Sequence, residues 1–281
     1  MNLEHLYDHF RYMWHGFRTL SAEEQVKLEH SLRLLQRAQK LQSVYFMGKL
    51  EGIEADYLLA FGCPGRDVFK DRLFFYSQDS SDWFMLQEPK EWDGDLWSKI
   101  RAPFQGDPAL KIEVNLGPGF ELDEDLVPIQ TDSKPFTLKE QNRLWFTMSK
   151  VLEEAALLPR GVLYQDTDGS HVINPFFNGL SLNESMKLCN YQHFRKPIYS
   201  TQDNLLRRED YSYFTDVYDT AEDILPKEKS YVVRHDLERN ILTLRSLHWP
   251  GLVCFHRANS NIYGFYYYGD GIKNWDLMFR C

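Results

Sequence analysis

Four consecutive aromatic residues, Phe265-Tyr266-Tyr267-Tyr268, constrain the fold of this chain more than any other feature. In a β-strand successive side chains point to opposite faces, so such a run places rings on both sides of one strand. Both sides of the sheet it joins must then be covered. Residues 252–255 and 262–268 flank a polar Asn259-Ser260-Asn261 turn and predict an antiparallel hairpin. One face can rest on the chain's own core. The other needs a helix layer or a second protein, because a large bare aromatic patch marks an interaction surface.

A chain of 281 residues with 43% hydrophobic and 15% aromatic residues can fill such a core, as one large domain or two small ones. The net charge of -9, with 32 scattered Lys and Arg, argues against non-specific binding to nucleic acid or anionic membrane, which needs clustered positive charge. No apolar run approaches the roughly 20 residues that span a bilayer. Residues 1–20 carry His, Asp and Arg where a secretory signal would be apolar. Cys63, Cys189, Cys254 and Cys281 are far apart and form no C-x-x-C pair, so free thiols in a reducing compartment, cytosol or cytoskeleton, are expected.

Three helix starts share one device, a Ser or Thr followed three residues later by Glu: Ser21 with Glu24, Thr137 with Glu140 and Ser181 with Glu184. After Ser21, Leu28, Leu32 and Leu35 form an amphipathic stripe to about Lys40. Leu144, Met148, Val151 and Ala155 do the same before Pro159, and Leu182, Met186 and Cys189 share a face of a shorter third helix. Strand signals fall at 44–50, 55–61, 72–76, 162–164, 171–173, 231–235 and 241–245, with an Asp168-Gly169 turn inside the second group. Short turns between them, rather than crossover helices, predict an α+β fold: a predominantly antiparallel sheet packed with a few amphipathic helices. Residues 88–135, broken by Pro and Gly, read as a loop-rich excursion with one helical turn near Leu96.

Candidate chemistry is thin. His5 and His9 share a helical face but lack an H-E-x-x-H pattern and a third ligand, so an exposed, metal-free pair is expected. Cys189 with His193, or Cys254 with His256, could be a thiolate and its base, as in a cytosolic thiol-dependent hydrolase, yet their apolar neighbours favour buried thiols. Asp166-Thr167-Asp168-Gly169 opens like a calcium loop without its closing Glu and reads as a hairpin turn. The acidic residues 121–125 read as a solvated loop, and Gly269-Asp270-Gly271 as a turn. No catalytic residue, metal or cofactor is assigned. Beside the Pro250 break, Trp249 offers an indole to the core or to a partner. With Tyr263, Phe265, Tyr266, Tyr267 and Tyr268, these two make the candidate partner interface; an aromatic-groove binding module is the alternative use of the same rings.

The ordered motifs Leu158-Pro159-Arg160-Gly161-Val162-Leu163, Phe177-Asn178-Gly179-Leu180-Ser181 and His193-Phe194-Arg195-Lys196-Pro197 resemble the radial spoke head protein 9 family. So do Leu244-Arg245-Ser246-Leu247-His248-Trp249-Pro250-Gly251, the segment 261–269 and Lys273-Asn274-Trp275-Asp276-Leu277; near the start, residues 44–49 and 55–57 look like the family's first strands. The likeness spans roughly 20–80 and 140–279, leaving 1–18 as an N-terminal extension to a single domain over 19–281, 88–135 without a clear counterpart, and Met278 where Pro is expected. The resemblance implies a non-enzymatic structural subunit of the radial spoke head in the axoneme of motile cilia and flagella. It also implies direct contact with radial spoke head protein 4/6-type subunits and other head proteins. Transient contact with central-pair projections would regulate dynein-driven motility.

Overall fold

The computed structural model describes residues 1–16, 19–98, 100–114, 119–122, 128–131, 136–199, 209–223 and 230–276. After a short helix α1 (Leu6–Phe10) and the long α2 (Ala22–Ala38), the chain forms β1 (Ser43–Leu50), β2 (Tyr57–Cys63), β3 (Leu73–Ser77) and β4 (Phe84–Leu86). The next part holds α3 (Glu91–Trp97), β5 (Lys111–Val114) paired with β8 (Phe136–Lys139), and β6 (Gly119–Leu122) paired with β7 (Pro128–Thr131). Then come α4 (Glu140–Glu154), β9 (Leu157–Pro159), the hairpin β10 (Leu163–Gln165) and β11 (His171–Ile173), α5 (Leu182–Ser185) and β12 (Tyr191–His193), which pairs with β9. The chain closes with β13 (Tyr231–Asp236), β14 (Ile241–Ser246), β15 (Leu252–Arg257) and β16 (Tyr263–Gly269).

The first four and last four strands are each an antiparallel meander, and together they make one eight-stranded sheet in the order β13-β14-β15-β16-β1-β2-β3-β4. The fold is therefore α+β, with a sheet that is antiparallel except at one place. There β1 and β16 run parallel, pairing Gly48 with Tyr267, Lys49 with Tyr268 and Leu50 with Gly269. Parallel neighbours need a long connection, and here it is the whole intervening chain. A bulge interrupts β1 between Phe46 and Gly48. At Phe46 the parallel pairing has ceased and the chain's start lies between the strands: the Met1 amine donates to Phe46 O (2.7 Å) and Phe265 O (3.2 Å).

Side chains alternate across this sheet as its pleat requires. Leu59, Phe61, Cys254, Phe265 and Tyr267 face one core, which α4, β9 and β12 cover. Leu58, Ala60, Val253, Phe255 and Tyr266 face the other, beneath α1, α2 and the segment before them. Over residues 1–16 the expected N-terminal extension is thus core by packing, with Leu3, Leu6, Phe10 and Met13 all buried. The helix layer that the aromatic run demanded is supplied by the chain itself.

The three helix starts fared differently. Ser21 and Glu24 form a full capping box, the Glu24 N–H reaching Ser21 Oγ at 3.2 Å and the Ser21 N–H reaching Glu24 Oε2 at 2.8 Å. Ser181 Oγ accepts from Glu184 N–H, but α5 ends at Ser185, and Met186 is exposed rather than on a buried stripe. Thr137 caps nothing: it lies in β8, and α4 begins at Glu140 behind Lys139. The Glu140 carboxylate turns inward instead, accepting Tyr57 O–H (2.7 Å), Gln105 N–H (2.9 Å) and Gly106 N–H (2.8 Å). It thereby ties the 88–135 excursion to the sheet. The helical turn expected near Leu96 is α3, with Leu96 buried.

Candidate functional site

The residues expected to meet a partner separate by depth. Trp249, Tyr266 and Tyr267 are 0% exposed and Phe265 is 3% exposed, so these four rings serve the chain's own core. Trp249 stacks on Trp97 with centroids 6.3 Å apart, and its indole N–H donates to Glu154 Oε2 at 2.9 Å. The Glu154 carboxylate also takes Lys273 Nζ at 2.8 Å, which pins the C-terminal segment over the Trp249-Pro250 corner. Tyr266 O–H donates to Met13 O at 2.9 Å, and Tyr267 O–H accepts from Gly271 N–H at 2.8 Å. Of the seven, Pro250 is exposed, and Tyr263 and Tyr268 are half-buried.

Neither thiol and imidazole pair becomes a catalytic dyad. Cys254 Sγ accepts a hydrogen bond from Leu157 N–H at 3.3 Å, and burial pushes its thiol up to about 12, away from the thiolate a nucleophile needs. His256 beside it is committed at both ring nitrogens, with Leu180 N–H at Nε2 (3.2 Å) and Ile262 O at Nδ1 (3.0 Å). Those partners place the proton on Nδ1 and make the ring a clamp between β15, the following turn and the 177–180 loop. His193 is fully buried in β12, where burial holds its imidazole down to about 3. An imidazole of such low basicity is a poor proton acceptor near neutrality.

The expected exposed histidine pair is also revised. His5 is exposed, but His9 is buried on the inner face of α1 with its ring 5.5 Å from Phe255, and burial lowers it to about 3. The sequence offered no sign of this, because the contact is to a strand more than two hundred positions away. Asp166-Thr167-Asp168-Gly169 is the hairpin turn it was read as, with Gly169 at φ +81° and its N–H on Asp166 O at 3.0 Å. Among the described residues no three His, Cys, Asp or Glu side chains gather as a metal site, and no helix is long and apolar enough to cross a membrane. Residues 123–125 of the acidic run, Met278 and Cys281 lie outside the described residues.

Where Met1 parts β1 from β16 the surface opens into a cleft of about 370 Å³, lined by Tyr45, Asn174, Phe177, Asn261, Tyr263 and the edge of His5 among others. Tyr263 reaches this cleft and Tyr268 emerges on the opposite face, beside Lys49 at 5.9 Å. The aromatic run therefore presents only its two ends to the outside. The rings of Phe265, Tyr266 and Tyr267 pack inside the two cores and hold the strands together.

No family model matches the chain. Among curated proteins it is 32% identical over 264 residues to the human "Radial spoke head protein 9 homolog", a match covering 92% of each chain. The zebrafish Danio rerio homolog is 32% identical over 267 residues, covering 93% of each, and the Xenopus tropicalis homolog 31% over 265, covering 92% of each. The chain belongs to the radial spoke head protein 9 family. As a radial spoke head component it is an axonemal protein of cilia and flagella, within the cytoskeleton.

Proposed function

We propose that this chain is a non-catalytic structural subunit that helps assemble the spoke head through direct contact with radial spoke head protein 4/6-type subunits. The head so formed meets central-pair projections transiently and passes mechanical signals that regulate dynein-driven motility. The observation that carries this reading is the match over about nine-tenths of both chains to relatives named for the spoke head. The chemistry supports it, since Cys254, His256 and His193 are buried in packing. Pro250, Tyr263 and Tyr268 are the members of the aromatic set that keep surface for a partner. The net charge of -9 suits a head that touches another complex and releases it, because like charge opposes permanent adhesion.

Removing the chain from a motile-ciliated cell and imaging its axonemes by electron tomography tests the assignment. Spoke heads are expected to be lost or shortened on retained stalks, with 4/6-type subunits depleted and the beat disturbed. Intact heads with normal 4/6-type content would overturn it.

A further inference from the structure

The sheet has two borders. One is β4, only three residues long; the other is β13, Tyr231–Asp236, which pairs with β14 without a register break from Tyr231 opposite Ser246 to Asp236 opposite Ile241. Leu247 N–H donates to Ser230 O at 2.9 Å. Alternation along an antiparallel strand then turns the backbone groups of Val232, Arg234 and Asp236 toward β14 and those of Tyr231, Val233 and His235 outward. Among the described residues no hydrogen bond reaches these outward groups. Exposed strand borders are ordinarily blunted by charged side chains, Pro, a bulge, extreme shortness or a covering loop. β13 carries the charges of Arg234 and Asp236 but has no Pro, no Lys and no bulge, and is six residues long.

The side chains beside this border are distinctive in an acidic protein. Arg234, Asp236 and Arg245 line a cleft of about 270 Å³ together with Trp14 and Ile241. Arg239 lies 5.1 Å from the Trp14 ring, and Arg257 sits across from Ile241 on the next strand. Among the described residues of this strand and its turn the carboxylates are Asp236 and Glu238 against Arg234, Arg239, Arg245 and Arg257, a positive excess on a chain whose net charge is -9. Val232 is 42% exposed on the same face, and Leu237 is 80% exposed at the strand's end.

We propose that β13 is the docking edge for an extended acidic segment of a neighbouring protein, which adds a ninth strand to the sheet and lays carboxylates against the exposed Arg234 and Arg239. Outward backbone groups supply the hydrogen bonds of strand addition, while alternate side chains of the incoming strand meet the Trp14 and arginine cleft. Arginine favours this pairing because its planar fork accommodates a carboxylate with two parallel bonds. The inference names the chemistry of one contact in the assembly proposed above and rests on that reading.

Hydrogen exchange compared between the isolated chain and spoke-head complexes released from axonemes is the test. The amides of Tyr231, Val233 and His235 are expected to exchange fast in the isolated chain and at least about tenfold more slowly in the complex. Val233→Pro removes an outward N–H without touching the β14 ladder, as proline is tolerated on a strand border. Arg234→Glu reverses an exposed charge. Both variants should keep a melting temperature within about 3 °C of the parent, yet be depleted from the complex, with Glu- or Asp-rich peptides of a neighbour cross-linked to position 232 in the parent. Unprotected amides in a complex that contains the chain, normal incorporation of both variants, or cross-links to a second copy would overturn the edge proposal alone. Absence of the chain from the spoke-head fraction would overturn the assembly reading as well.

Discussion

Gly48 marks the place where single atoms govern the whole sheet. It follows the β1 bulge at φ +141°, and a Cβ there would collide with the carbonyl of Tyr267, its neighbour across the parallel junction. Gly48→Ala is expected to destabilise the protein by about 3 kcal/mol in urea unfolding, since the two meanders must separate or the strand must shift. The buried imidazoles set the acid limit. His9 and His193 are held down to about 3 and His256 to about 4, each chiefly by burial. Unfolded, all three would take up a proton near pH 6.5, so the unfolded chain binds more protons between about pH 6.5 and 3. Their contribution is complete above about pH 6.5 and is lost as pH falls through that window. Neither ring nitrogen of His193 has a hydrogen-bond partner among the described residues. His193→Leu should therefore stabilise the fold by about 1 kcal/mol at pH 7 and remove one proton's share of the acid dependence, measured by urea midpoints at pH 7.5 and 5.0.

The decisive element is the N-terminal segment. Phe10 packs edge-on against Phe46 at 6.3 Å, and Tyr12 stacks on Phe255 at 4.9 Å, so α1 and its flanks form a lid on the second core. Phe10→Ala is expected to cost about 3 kcal/mol in unfolding free energy, the range for emptying a buried ring site, whereas a mere appendage would cost almost nothing. This role was not legible in residues 1–18, whose mixed polar and apolar order shows no clean period. The α2 capping box was legible because it depends only on neighbours three positions apart. The same pattern at Thr137 misled for the opposite reason: Glu140 is bound by Tyr57, which is distant in sequence and adjacent only in the folded sheet.

Viewed as a molecule, the chain closes both faces of its sheet with its own parts and, among the described residues, leaves the outward backbone groups of β13 without a strand partner. It should accordingly unfold in one cooperative transition when purified alone and bind little of an apolar dye such as ANS at neutral pH. Biphasic unfolding or strong dye binding would mean that a partner completes one of the two cores. The candidate interface was only partly readable. Alternation along residues 263–268 located the rings and demanded cover for both sides, but could not tell that the cover was internal, so the four deepest of the seven residues proved to be core.

Local order along the chain was enough to locate β1–β3, β10, β11 and β13–β16, the hairpin turns, the Ser21 cap and, through several motifs in sequence, the family, but not the short strands β4–β9 and β12. Those properties rest on neighbours a few positions apart or on residue identity. The parallel junction of β1 with β16, the insertion of Met1 between them, the burial of His9 and Trp249 and the place of β13 at the border of the sheet were decided only in three dimensions. Each depends on contacts between segments whose separation along the backbone carries no periodic signal.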